Sequence, residues 1–549
     1  MNRITRCVAF RLSSAVSPFL FVSLALLVFA ALAWSAAGAA LADGTNAGKD
    51  DLVAYLGTRS EARMGFDPLF GFANVDGVSI FHSNLIRLNS DMTIENEFAE
   101  DWSVLNDGLT YRFLLRDDVK CSDGELLTAG DVAFTFSKAK ESGYVGGLED
   151  IREIEAVSDR EILIHLNQPN SLFIYTVCRL PIVPERAYKE DYGRSPVGSG
   201  PYQMVAWDKG QQMIVERNPH YFRGVPKLRR ITFLFLAEEA AFEAVKSGQI
   251  DLYEVPYTYA RLDVPGTRLV TFDTVGKFCA SLPTTPSGDV NEHGMKIGND
   301  VTSSRSVRQA MNYGVNRAQM VKGLMYGYGS PAYGLIDKQM PYYNPETDYE
   351  DDDVEKAKAI LAADGWTDSD GDGIVEKDGL KAEFPLLVNA KDKLLQSFGM
   401  LICEQLKRVG LNAVLEVKSW EEVDSRRHSD VWLLNWGSIE PINVYYLYYG
   451  PNKGKGFYNS GYYVNPVVDG HIERALAATD EAEMNERWKK AQWDGETGFS
   501  VRGDAVWLML VNKQFLYRLK EGLNIGERGF LNGTMGWIIA RNIHEWRWE

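Results

Sequence analysis

The 549-residue chain is 45% hydrophobic and 24% charged, with a formal net charge of −17 at pH 7. A balance this acidic argues against nucleic acid or an anionic membrane surface as partner. The length suggests roughly three domains, and none of the five cysteines forms a CxxC metal or redox pair.

Arg3, Arg6 and Arg11 make a positive n-region, the apolar stretch 19–34 follows, and Ala40-Leu41-Ala42 offers the small residues of an A-x-A cleavage site. This reads as a secretory signal peptide cleaved after Ala42, and hence as a periplasmic protein. The alternative is an uncleaved anchor, for which the stretch is short. Cys7 precedes the apolar core, which excludes a lipobox. Export permits disulfides, but Cys121, Cys178, Cys279 and Cys403 are far apart in sequence and read as buried free thiols.

Along the mature chain, 52–57 reads as an opening strand and 101–116 as a hairpin turning at Asn106-Asp107-Gly108. Thr128 caps a helix over 129–142, with Asp131 at the capping-box position. A strand at 161–166 follows. In 196–232 a Gly/Pro turn, two strands, an aromatic Asn-Pro segment and a further strand succeed one another. Helices are expected at 237–248, 306–325, 354–363, 394–409 and 479–492, and strands at 412–418 and 505–511. The mixture predicts an α/β fold of several lobes without flexible tethers.

Six blocks carry a resemblance in the right order: 111–136, 198–222 with GSGPY and RNPHYF, 242–252, 306–317, 353–373 and 459–469. Together they resemble the extracellular solute-binding proteins of ABC importers, in the oligopeptide, dipeptide and nickel class (solute-binding family 5). The resemblance implies a two-lobed Venus-flytrap α/β fold with an extra subdomain on lobe I, closing on its ligand about a hinge. After the signal peptide at 1–42, it places lobe I at 43–81, 196–282 and 505–549, the extra subdomain at 82–195 and lobe II at 283–504.

In peptide-binding members, a Trp is followed three residues later by an Asp that pairs with the peptide's ammonium. Here the segment is Trp436-Gly437-Ser438-Ile439-Glu440, so Ile439 stands at the Asp position and Glu440 one place beyond it. On an extended strand Glu440 would face the other side, and a buried ammonium without a carboxylate is costly. Nickel-binding members use a His, an Arg and aromatic residues, yet after Trp436 the next His is His471. The resemblance implies ligand contacts from Trp436, Gly437 and Glu440, with Trp432, Arg426, Arg179, Phe278 and Cys279 as further candidates. For Arg426 the alternative is a solvated surface side chain, and for Trp432, Phe278 and Cys279 it is the core.

Asp368, Asp370 and Asp372, followed by Gly373, form D-x-D-x-D-G, the first half of a calcium loop; Glu376 lies near, but Gly379 stands where a bidentate Glu is needed. The loop is either a structural calcium site or an acidic surface turn, and no other cofactor is expected.

The chain has no G-x-S-x-G, no H-E-x-x-H and no nucleophile elbow, so a secreted hydrolase is the weakest reading. The expected role is non-enzymatic: capture of a peptide, or of a nickel or other metal chelate, and delivery to an ABC permease and its ATPase. A solute sensor of the same fold is the alternative.

Overall fold

The structure, a computed structural model, describes residues 50–58, 60–62, 65–70, 79–437, 439–526 and 536–549. The signal peptide with Ala42, the start of the first lobe I segment and Ser438 lie outside the described residues. Among those residues, no helix is long and apolar enough to cross a membrane.

Two long strands, Thr267–Ser281 and Trp507–Lys520, organise the sheet. They pair antiparallel from Thr267 opposite Lys520 to Ser281 opposite Trp507, with register shifts between Asp273 and Lys277 and between Phe278 and Cys279. At one end, Leu252–Glu254 joins Trp507–Lys520 and leads on to Asp51–Tyr55, Arg230–Leu234, Gln212–Arg217 and Tyr202–Asp208. At the other end, Val431–Trp436 pairs with residues Lys277 to Ser281 and leads on to Glu383–Asn389 and Asn412–Lys418. One sheet therefore carries both sets of strands. The two long strands change their outer partners near the first register shift, and a strand of 15 residues, about 50 Å long, reaches both sets.

Within 82–195 lies a four-stranded antiparallel sheet, in the order Ala99–Leu105, Thr110–Leu115, Glu161–Leu166, Ile151–Ser158, with the helix Ala129–Ser142 packed on it. Its hairpin turns through Asn106, Asp107 and Gly108, all at positive φ. Asp131 accepts the Thr128 N–H at 2.9 Å, as the capping pattern requires.

The turn before Tyr202 fits only without side chains. A Cβ on Gly198 would stand 2.3 Å from the Phe81 carbonyl oxygen, and one on Gly200 would stand 2.4 Å from the Phe81 carbonyl carbon. Beside this turn lies His82, 3% exposed, whose Nδ1 meets Ser79 Oγ at 2.9 Å and whose Nε2 meets Tyr192 Oη at 2.7 Å. Burial drives its imidazole from 6.5 down to about 3. A proton is then taken up more readily by the unfolded chain, so stability falls as the pH drops below about 6.5 toward 3. Burial also lowers His544, to about 4, and it adds to the same trend. Urea midpoints at pH 7 and pH 5 are expected to fall with acid, and His82→Gln is expected to flatten that dependence; an unchanged slope would refute the assignment.

The single helix expected over 306–325 is two helices, Arg305–Gly314 and Arg317–Leu324. Asn316 breaks the run by capping the second helix, its side chain accepting the Gln319 N–H at 2.7 Å. Arg317 then turns fully into the core, where its guanidinium meets Asp351 at 3.2 Å and the carbonyls of Ala332 and Met509 at 2.9 and 2.8 Å. Helical periodicity alone does not register a cap inside an apolar stripe.

Candidate functional site between the lobes

The strand Val431–Trp436 alternates its faces. Trp432 and Leu434 pack with Cys279 on one side of the sheet, and Val431 and Leu433 pack with Phe278 on the other. The strand ends at Trp436, opposite Lys277. Gly437 follows at φ 152°, where a Cβ would lie 2.0 Å from the Val275 carbonyl oxygen, so only glycine lets the chain leave the sheet here. Ile439 is then buried completely, its carbonyl accepting the Tyr342 hydroxyl. Glu440 comes next, 3% exposed, just before the helix Ile442–Tyr448.

The Glu440 charge acts on groups from three separate stretches of the chain: Tyr175 and Cys178, Tyr342, and Arg541 of the helical segment Gly536–Glu545. Burial, reinforced by the Glu440 charge, pushes the Tyr175, Cys178 and Tyr342 groups well above their ordinary values. Arg541 moves the other way: burial, with Arg87 beside it, brings its guanidinium down to about 10, against the opposing pull of Glu97, Cys178 and Glu440. Asn84 ties this corner together, donating from Nδ2 to the Cys178 carbonyl at 2.6 Å and from its N–H to Glu97 at 3.1 Å.

Arg179 follows Cys178 and acts electrostatically on Tyr446 and Tyr458. Those two rings are stacked at 4.0 Å and 5°. Gly146 lies so close that a Cβ there would stand 2.6 Å from Tyr446 Oη. The extra subdomain also bonds directly to lobe II, where Ser171 donates its N–H to the Leu476 carbonyl and its hydroxyl to the Ala475 carbonyl, both at 2.8 Å. Below the site, Lys277 Nζ meets Asp337 at 2.6 Å, with side chains 2% and 12% exposed.

Of the residues singled out from the sequence, Glu440 and Arg179 come together around Cys178, and Trp436 and Gly437 end the strand that delivers Glu440. The other four make contacts that fit the alternatives, surface pairing for Arg426 and core packing for the rest. Arg426 pairs with Glu416 and Asp430, each at 2.7 Å, inside lobe II. Trp432, 1% exposed, packs with Trp420 and Phe457. Phe278 packs on Phe398 at 5.0 Å, and Cys279 is fully buried beside the Leu434 carbonyl. Trp432→Ala is therefore expected to cost about 3–5 kcal/mol of stability. Trp436→Ala, at a half-buried position, is expected to weaken solute binding far more than Trp432→Ala. Equal calorimetric affinities of the two variants would contradict this ranking. Sequence reasoning missed Tyr175, Tyr342, Glu97 and Arg541. Only Arg541 left a signal, a cation directly after the apolar stretch 537–540.

In the Asp368 loop the packing favours the acidic surface turn over the calcium site. Asp368, Asp370 and Glu376 bring oxygens within 4.8 Å of one another, but each carboxylate of the loop already has protein donors. Lys381 Nζ meets Asp370 at 2.8 Å and also pairs with Asp372. Asp368 accepts the N–H groups of Gly371 and Gly373 at 2.8 and 3.0 Å, and Glu376 accepts the Ser369 N–H at 3.0 Å. The lysine ammonium supplies the positive charge a cation would bring.

Residues 93–456 match the family model "Bacterial extracellular solute-binding proteins, family 5 Middle". The chain belongs to this family. Among curated relatives, Protein XP55 of Streptomyces lividans is 29% identical over 456 residues, covering 80% of each chain. The oligopeptide-binding protein AppA of Bacillus subtilis is 25% identical over 448 residues, covering 76% of this chain and 79% of its own. AppA's structure with a nonapeptide aligns with a TM-score of 0.71 at 23% identity, covering 91% of this chain and 99% of AppA. NikZ of Campylobacter jejuni, solved with Ni(L-His), aligns with a TM-score of 0.76 at 21% identity, covering 91% of this chain and 100% of NikZ. Like its relatives, this member of family 5 is a substrate-binding protein of the ABC import class, with the α/β fold of periplasmic binding proteins.

Proposed function

We propose that this chain captures a short peptide outside the cytoplasm, after loss of the leader at 1–42, and passes it to an ABC permease and its ATPase. The observation that carries the reading is Glu440, a buried carboxylate whose charge acts on groups from distant stretches of the chain. It supplies the anion that a peptide ammonium requires, in the role the Asp plays in peptide-binding relatives. The sequence made this role depend on the direction of Glu440. The departure of the chain at Gly437 supports it, because residues past the strand no longer follow its alternation. Ligands as different as a nonapeptide and Ni(L-His) are named for similar structures. Against a nickel chelate, the groups on which the Glu440 charge acts, among the described residues with a shifted titration, are tyrosines, a cysteine and an arginine.

Mass spectrometry of the solute that copurifies, followed by calorimetry with di- and tripeptide pools and with nickel–histidine, tests the reading. Peptide binding with compaction in X-ray scattering is expected. Binding of nickel–histidine alone would overturn it. A role in sensing rather than import is separated by whether the loaded protein stimulates its permease–ATPase in proteoliposomes.

A further inference from the structure

We propose that the cavity beneath the segment 331–348 is a second solute site, which takes a compact neutral molecule carrying a hydroxyl on an apolar ring, the chemistry of a phenol. It is separate from the site around Glu440, and the inference does not depend on the peptide reading.

The segment follows the short strand Gly329–Pro331, which pairs with Trp507–Lys520. Together with that long strand, the helix Ile442–Tyr448 and residues Phe499 to Val501, it encloses a cavity of about 90 Å³. At roughly 10–15 Å³ per water, the space holds about six to nine water-sized groups. Neither Glu440 nor Trp436 is among the residues that line it. Its walls are mostly apolar: Leu335, Ile336, Phe499 and Met509 are all buried, and the Tyr448 ring stacks on Phe499 at 3.7 Å and 13°. Such walls favour an apolar body, which gives up water there without losing hydrogen bonds.

Three polar groups in this lining have capacity left over. Tyr448 is 2% exposed and Trp507 5%, yet among the described residues neither the Tyr448 hydroxyl nor the Trp507 indole N–H makes a hydrogen bond. Asp337 accepts from Lys277 Nζ at Oδ2, 2.6 Å away, and its Oδ1 accepts no hydrogen bond among those residues. Buried polar groups are nearly always paired, because an unpaired one forfeits its hydration without compensation. A solute hydroxyl supplies what is missing: it donates to a carboxylate oxygen and accepts from an indole N–H or a tyrosine O–H. A charged solute is disfavoured, because Lys277 already balances Asp337, and Lys338, also in the lining, pairs with Asp348 at 2.7 Å.

Saturation-transfer NMR and calorimetry with phenol, and with toluene as the ring of similar size lacking the hydroxyl, test the inference. Wild type is expected to bind phenol with a Kd of about 1 mM and at least about fivefold more tightly than toluene, since a site built for a hydroxyl rejects the analogue without one. Tyr448→Phe and Trp507→Phe keep an aromatic ring in place, and each is expected to narrow that preference at least about twofold. Melting curves check that both variants fold. Absence of phenol binding at about 10 mM, equal affinities of wild type for phenol and toluene, or a preference unaltered in both Phe variants would overturn the assignment.

Discussion

Glu440→Gln is expected to weaken peptide binding by about 100-fold, or about 3 kcal/mol, while leaving the fold in place. The amide keeps the size of the side chain, so packing against Tyr342 and the start of the helix Ile442–Tyr448 is retained. What is lost is the charge that compensates a desolvated ammonium, and the penalty of leaving that ammonium unpaired exceeds the worth of an ordinary hydrogen bond. Calorimetry of wild type and variant against one tripeptide measures the effect. An affinity within threefold of wild type would show that the ammonium is held elsewhere.

Lys277→Met is expected to lower the unfolding free energy by about 3–5 kcal/mol. Lys277 Nζ and Asp337 are 2.6 Å apart and almost wholly removed from solvent. Deleting the lysine leaves the Asp337 carboxylate buried without its counter-ion. The double variant Lys277→Met/Asp337→Leu is expected to recover most of the loss, since an apolar pair of similar volume avoids the desolvation cost of both ions. Urea unfolding of the three proteins decides it. A single-variant loss below about 1 kcal/mol, or no recovery in the double variant, would show that water reaches the pair. Because Lys277 stands at the register shift between the two long strands, this pair braces the sheet where its pairing is irregular.

Most elements were legible in the sequence because their signals are local. Alternation, the Asn106-Asp107-Gly108 turn, the Thr128 cap and the Gly-Ser-Gly segment each act over a few residues. The helix break at Asn316 was hidden because the apolar stripe continues across it, and a cap is decided by where the chain must turn.

The amino-acid sequence by itself determined the family, through six ordered blocks, and the α/β alternation, because both depend on residue types at short spacing. It also located the critical segment 436–441, where Ile439 displaces the expected Asp. Only the tertiary structure decided how the chain leaves the strand ahead of the buried Glu440. That depends on Gly437 meeting Val275, a residue more than a hundred positions away, at a distance no side chain tolerates. Charges from remote segments converge only when the chain is folded, and burial, which gives those charges their strength, is a property of the packed molecule.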